Sequence, residues 1–208
     1  ILKAKTESFA HLKPDGVVIL NGDDDKLSTV EQVAGRKLVF YGIKGRNLCE
    51  TSVCADAVTE HGLEGMTAEF HTSQGDMEVF IPIPGEHNVY NALAAVAVCS
   101  YFDLPKDRIC HALEHLYVNG RMEIVHTSKR CTVIVDYAHN AISMESLLKT
   151  LRDYHPKRLV CVFGCGGNRS KDRRYSMGEI GGRLADLSIL TADNSRYEKV
   201  EDIIADIR

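Results

Sequence analysis

The sequence predicts an α/β protein in two parts, and three observations carry that prediction. Short stretches of period-2 alternation bounded by turn residues mark strands in the first hundred residues, an alanine- and valine-rich run at 88–102 marks a buried helix, and after Gly120 strands and helices alternate. With 208 residues the chain can bury one large core or two smaller ones. Hydrophobic residues make up 44% and charged residues 26%, an ordinary globular composition, and a formal net charge of -4 gives no general affinity for nucleic acid. Any anion site must therefore be local. No apolar run approaches the roughly 20 residues that span a bilayer, and Ile1-Leu-Lys-Ala-Lys5 is no signal peptide, so a cytoplasmic protein without membrane contact is expected. The seven cysteines are odd in number and form no C-x-x-C pair, which argues against a zinc site or a redox pair and for buried reduced thiols.

Element by element, strands are expected over 17–21 and 37–41, the first ending in the turn-prone Asn21-Gly-Asp-Asp24. Residues 66–71 and 76–83 alternate around Ser73-Gln-Gly75 and read as a hairpin, which Pro82 and Pro84 terminate. The run 88–102 has almost no charge, so its helix should be buried on most sides. A second helix over 106–116 begins after Pro105 and spaces Ile109, Leu113 and Leu116 on one side. Asn119-Gly120 then breaks the pattern and sets the expected boundary between a domain over 1–118 and one over 119–208. In the second part a strand at 131–136, a helix at 143–154, a strand at 158–163, a helix at 173–184, a strand at 187–191 and a helix from 200 follow in order. Such alternation implies a parallel sheet with right-handed crossovers. Met144, Leu147, Leu148, Leu151 and Tyr154 recur at helical spacing and are core packing. The first residue is not Met and Arg208 lies inside an apolar-periodic run, so both ends read as cut.

Polar clusters fall at the ends of three of these strands, where doubly wound sheets bind ligands. Val135-Asp-Tyr-Ala-His139 follows the first, the loop Phe163-Gly-Cys-Gly-Gly-Asn-Arg-Ser-Lys-Asp-Arg-Arg174 the second, and Asp193-Asn-Ser-Arg196 the third. The loop combines three glycines, which allow close backbone approach, with four cations, and is suited to an anion. Its spacing does not give G-x-G-x-x-G, so a dinucleotide-dependent oxidoreductase is disfavoured. Asn88 and Asn91 are three apart at a helix start, so both amides can point to one side and match the donor and acceptor edge of adenine; a helix cap by Asn88 competes with that reading. Arg121 follows the boundary glycine, where a guanidinium can reach a phosphate, and Asp136 ends a strand, where a carboxylate suits ribose hydroxyls.

The register of Ala4-Lys5, Gly85-Glu-His-Asn-Val-Tyr-Asn91, Gly120-Arg-Met-Glu123, Val135 to His139, the 163–177 loop and Asp193-Asn-Ser-Arg196 resembles the Mur ligases over nearly the whole chain. The resemblance implies that 1–118 is the later part of a central ATP-binding domain and 119–208 an incomplete Rossmann-like C-terminal domain. The family's phosphate loop and UDP-binding domain have no counterpart in this sequence, so the chain looks like a fragment inactive by itself. It further implies an ATP- and Mg2+-dependent amide ligase, expected as a monomer. Such an enzyme adds a diamino acid, best meso-diaminopimelate, to UDP-N-acetylmuramoyl-L-alanyl-D-glutamate through an acyl phosphate in peptidoglycan synthesis. By the same resemblance Lys5 is the lysine carried as a carbamate that holds a magnesium, and Lys5 and Arg121 are the catalytic positions. Asn88, Asn91, Arg121, Asp136 and His139 are assigned to the nucleotide. Arg174, Asp193, Asn194 and Arg196 are assigned to the diamino acid, whose extra distal carboxylate calls for a positioned guanidinium. Ser195 stands where the family usually has proline, and His87 where it often has an aromatic. Alternatives are a lysine-adding version, a cyanophycin-synthetase-like ligase domain, which would share Tyr137-Ala-His-Asn140, and a non-catalytic nucleotide-binding module.

Overall fold

The computed structural model describes residues 2–33 and 35–208. They divide into two compact units, Ile1–Asn119 and Gly120–Arg208.

The first unit is built on a five-stranded mixed sheet in the order β1-β2-β3-β4-β5. After the short helix α1 (Leu2–Thr6), β1 (Val17–Asn21) and β2 (Lys37–Ile43) run parallel, β3 (Val53–Glu60) joins β2 in parallel, and β4 (Met66–Thr72) and β5 (Gly75–Ile81) complete an antiparallel meander. Alternation does what the sequence implies. In β5, Met77, Val79 and Ile81 point inward while Asp76 and Glu78 face solvent. Helix α2 (Glu86–Tyr101) covers the sheet with Val89, Leu93 and Val96, all fully buried, and the small Ala92 and Ala97 are buried beside them. Each such buried valine or leucine contributes roughly 1.5–3 kcal/mol. Helix α3 (Lys106–Glu114) adds Ile109 and Leu113 beside β5. Strand β3 escapes sequence reading because a bulge between Asp56 and Thr59, with Ala57 at φ 46°, shifts the alternation by one residue and erases its period.

The second unit opens with an antiparallel pair, β6 (Glu123–Thr127) and β7 (Thr132–Val135), and continues through α4 (Ala141–Asp153), β8 (Val160–Phe163), α5 (Lys171–Leu184), β9 (Leu187–Leu190) and α6 (Val200–Ile207). Strands β8 and β9 pair in parallel across α5, as the alternation requires. The expectation of one parallel sheet needs correction for β7, because among the described residues it is laddered to β6 and not to β8. Between β7 and β8 lies a cleft floored by Met144, Leu148 and Leu151 of α4. Strand β6 was invisible in the sequence for a physical reason: it presents no buried face and carries its own bulge between Ile124 and His126. The core joins Met144 and Leu148 of α4, Met177 and Ile180 of α5, and Ile203 and Ile207 of α6 against Cys161, Phe163 and Leu190 of the strands. Helix α5 sits close on α6 at Gly178, where a Cβ would lie 1.8 Å from the Ile207 carbonyl oxygen. Helix α4 starts at a capping box in which Asn140 Oδ1 accepts from the Ser143 N–H at 3.0 Å and Ser143 Oγ accepts from the Asn140 N–H.

Candidate functional site

In the first unit the two asparagines sit at the start of α2. Asn88 is not the helix cap, a place taken by Gly85. Its Nδ2 donates to the Pro84 carbonyl at 2.9 Å, and its Oδ1 accepts from Asn91 Nδ2 at 3.1 Å. The pair is thereby locked side by side, and among the described residues the Oδ1 of the exposed Asn91 is left for an outside donor. The residues that aim this helix start were not singled out from the sequence. Asp23, read only as part of a turn, accepts from the Ile43 N–H and the Tyr90 hydroxyl, both at 2.8 Å, and from Asn47 Nδ2 at 3.1 Å. Arg46 pairs with Glu86 at 2.6 Å. Burial, reinforced by the Asp23 carboxylate, pushes the Tyr90 hydroxyl up to about 12. The alternating pattern could not reveal this hub, because the partners of Asp23 lie 20, 24 and 67 residues away along the chain. Lys5 is exposed on α1.

In the second unit Asp136 ends β7 with both oxygens engaged by backbone: Oδ2 accepts from the Met122 N–H at 2.9 Å and Oδ1 from the Ala138 N–H at 2.7 Å. Arg121, just after Gly120, lays its guanidinium over the Tyr137 ring at 4.7 Å. The Gly120 N–H donates to Glu123 Oε2 at 2.7 Å, which closes the turn that presents Arg121. His139 Nδ1 lies 3.1 Å from the Tyr137 carbonyl. A carbonyl can only accept, so Nδ1 is the donor in this contact. Asp136 and Ala138 line the cleft whose opposite wall is Leu159 to Phe163, so the end of β7 faces the end of β8.

The loops after β8 and β9 form one surface. Gly167 N–H donates to the Asn194 carbonyl at 2.8 Å, Tyr197 N–H to Asn168 Oδ1 at 3.3 Å, and Thr191 N–H to the Phe163 carbonyl at 3.0 Å. A Cβ at Gly167 would stand 1.9 Å from the Ser195 carbonyl oxygen, so only glycine permits this approach. Asp193, Asn194 and Arg196 are exposed on this surface, with Arg196 in the left-handed region at φ 50°. Arg169, the residue after Asn168, is also exposed, and the Asn168–Tyr197 bond leaves Arg169 and Arg196 as the cations flanking it. Burial pushes the Cys165 thiol up, against any role as a nucleophile.

Arg174 lies in the first turn of α5. Expected to contact the incoming amino acid, it is only 1% exposed, donating from Nη2 to Glu198 Oε1 at 2.7 Å and from Nη1 to Asp206 Oδ2 at 2.8 Å. The physical reason is helix phase: α5 begins at Lys171, which puts Arg174 on the same side as Met177 and Gly181. Arg174 in turn holds the Glu198 and Asp206 carboxyls below their ordinary range. As for metals, the described residues bring three ligand atoms together at Glu69, His71 and Asp76 on the outer face of the β4–β5 hairpin, where His71 Nδ1 already pairs with Asp76 at 2.8 Å. No helix among the described residues is long and apolar enough to cross a membrane.

Comparison with known proteins gives these features a family. Residues 1–99 match the Mur ligase middle domain and residues 120–208 the Mur ligase glutamate ligase domain. The chain is similar to proteins named UDP-N-acetylmuramoyl-L-alanyl-D-glutamate--2,6-diaminopimelate ligase. The one from Bacillus velezensis is 39% identical over 96% of this chain and 40% of the relative, and the one from Caldanaerobacter subterraneus is 34% identical over 98% and 41%. The chain thus spans about two fifths of the length of these relatives. A solved structure bearing the same ligase name superposes with a TM-score of 0.59 at 28% identity over 99% of this chain and 42% of that one. A UDP-N-acetylmuramoylalanyl-D-glutamyl-2,6-diaminopimelate--D-alanyl-D-alanyl ligase from Acinetobacter baumannii gives 0.71 at 25% over 93% and 42%. The chain belongs to the Mur ligase family, of which it carries the middle and glutamate ligase domains.

Proposed function

We propose that this chain is part of an ATP-dependent ligase of the cytoplasm, acting as a monomer, that joins meso-diaminopimelate to UDP-N-acetylmuramoyl-L-alanyl-D-glutamate in peptidoglycan synthesis. The observation that carries the substrate choice is the pair of hydrogen-bonded loops after β8 and β9, which expose Arg196 and Arg169 beside Asp193 and Asn194. Meso-diaminopimelate differs from lysine by one distal carboxylate. A guanidinium held by its backbone meets that group with two parallel donors, while a carboxylate and an amide accept from the neighbouring ammonium. Arg174, buried here against Glu198 and Asp206, is proposed as a second guanidinium for the carboxylates of the amino acid.

A carboxylate is a poor electrophile, so the bond between acid and amine needs activation. In the proposed reaction the D-glutamate side-chain carboxylate takes the γ-phosphoryl group of ATP, giving an acyl phosphate and leaving ADP. The free amine attacks that carbonyl carbon, the amide forms, and phosphate leaves. Asn88 and Asn91 fit an adenine edge because their mutual hydrogen bond fixes both amides. Asp136 and His139 fit ribose hydroxyls, and Arg121, flattened on Tyr137, fits a phosphate oxygen. Magnesium would neutralise phosphate charge. Exposed Lys5, as a carbamate, is the position in this chain proposed to hold it. The test is phosphate release by the complete enzyme: release that requires both the UDP-linked dipeptide and meso-diaminopimelate supports the proposal, and release indifferent to the amino acid overturns it.

A further inference from the structure

Helix α2 is seated by a face of small alkyl side chains, Val89, Ala92, Leu93, Val96 and Ala97. Apolar burial is non-directional, so that face brings the helix onto the sheet without fixing how far it is rolled about its own axis. Roll matters at Asn91. Side-chain tips stand about 5–6 Å from a helix axis, so a roll of about 10° carries the Asn91 amide about 1 Å, enough to break a hydrogen bond. A directional contact is needed to hold the helix start.

Two polar tethers reach it from one flank, because Glu86 and Tyr90 are four apart on α2. Glu86 pairs with Arg46 at 2.6 Å, but both side chains are exposed and such a pair contributes little. The Tyr90 hydroxyl donates to Asp23 Oδ2 at 2.8 Å in a part-buried contact, and the carboxylate it meets is itself held on every side. Asp23 Oδ2 also accepts from the Ile43 N–H, Oδ1 accepts from Asn47 Nδ2, and the Asp23 N–H donates to Asn21 Oδ1 at 2.9 Å. Three donors converge on this group, which suits a carboxylate because it only accepts. Gly42 leaves it room, since a Cβ there would run into Asp23 Oδ1 and Asn47 Nδ2. Asp23 thus ties α2 to the ends of β1 and β2. We infer that Asp23 is a positioning residue: through Tyr90 it sets the roll of α2, and so the direction in which Asn91 Oδ1 is offered to the 6-amino group of adenine. A 6-oxo purine would bring an acceptor against that acceptor. This rests on the proposed nucleotide and names what holds the choice of base in place.

The test measures kcat/KM for ATP and for inosine triphosphate, its 6-oxo counterpart, in the complete ligase with Tyr90→Phe, Asp23→Ala and Asp23→Asn. Tyr90→Phe and Asp23→Ala are each expected to lower the ratio of ATP to inosine triphosphate about tenfold, the effect of one lost hydrogen bond to the base, with kcat and KM for meso-diaminopimelate within about twofold. A merely structural role would reduce the use of both nucleotides alike and leave the ratio where it was. Asp23→Asn should keep the ratio within about threefold of the parent, because one amide oxygen can accept from both Ile43 and Tyr90 while Asn47 turns its own amide to match. An unchanged ratio in Tyr90→Phe overturns the inference. So does an Asp23→Asn ratio as low as that of Tyr90→Phe, which would make the charge of Asp23 the active feature. Should Asp23→Ala not fold, Tyr90→Phe carries the test. Equilibrium binding of ADP and inosine diphosphate to the same proteins separates this inference from the functional reading. An unmodified enzyme that releases no phosphate with meso-diaminopimelate, yet prefers ADP and loses that preference in Tyr90→Phe, refutes the ligase reading and leaves the inference standing. An unmodified enzyme with no preference for ADP overturns the inference.

Discussion

Replacing Gly167 by alanine asks a sharp question of the loop geometry, because the added methyl has nowhere to go. Its Cβ would lie 1.9 Å from the Ser195 carbonyl oxygen and 2.6 Å from the carbonyl carbon, against a floor of 3.0 Å for real contacts, so the backbone must part by about 1.1 Å. That movement breaks the 2.8 Å bond from Gly167 to Asn194 and stretches the 3.3 Å bond from Tyr197 to Asn168 Oδ1. Two hydrogen bonds at about 1 kcal/mol each, with overpacking of similar size, give a loss of about 2–3 kcal/mol. In a unit of this size that lowers the melting temperature by about 10–20 °C. The control is Gly182→Ala on α5, where nothing lies within 4 Å of the new methyl. There alanine should stabilise by about 0.5–1 kcal/mol, since it costs less backbone entropy in a helix. Thermal unfolding of the two variants should move in opposite directions. Melting temperatures that shift together, or a Gly167→Ala variant within 2–3 °C of the parent, roughly half a kcal/mol here, would refute the claim that the two loops are fastened at this point.

Other consequences are open to direct measurement. Asn140→Ala removes the capping box of α4 and should cost about 1 kcal/mol in denaturant unfolding, with Asn140→Asp nearly neutral. Tyr90→Phe removes the hydroxyl bonded to Asp23 and should cost about 1 kcal/mol at neutral pH, and it should also flatten the alkaline limb of stability. The sign follows from the raised Tyr90 value: between the ordinary tyrosine value near 10 and about 12 the folded chain holds a proton the unfolded chain has lost, so stability falls as pH rises through that window. Glu198 and Asp206 act in the other direction. Their lowered values mean the stabilisation is present above the ordinary carboxylate range and is lost as pH falls through it, and Glu198→Gln with Asp206→Asn should make the second unit less sensitive to acid than the parent.

What the sequence revealed and concealed has physical causes. Helix α2 was legible because a run of alanine, valine and leucine almost free of charge can only be buried, and β1, β4 and β5 because their alternation is unbroken. Strands β3 and β6 were not, since each carries a bulge that shifts the side-chain pattern by one residue. At the site, the glycines and exposed Arg196 were readable from composition and strand-end position. The burial of Arg174 was not legible because a cluster of cations says nothing about which one a helix turns inward. Its partners Glu198 and Asp206 looked like ordinary surface acids. The signal was there in part: Asp206 lies beside the buried Ile207 and three residues after the buried Ile203.

The most direct measurement is the ratio of kcat/KM for meso-diaminopimelate to that for lysine in the complete ligase, before and after Arg196→Ala. Loss of one charge-assisted contact of about 1.5–3 kcal/mol predicts that the ratio falls by about 10- to 150-fold while KM for ATP stays within about twofold. A ratio that does not change, or an equal loss of ATP and amino-acid use, would contradict the assignment of the paired loops to the distal carboxylate.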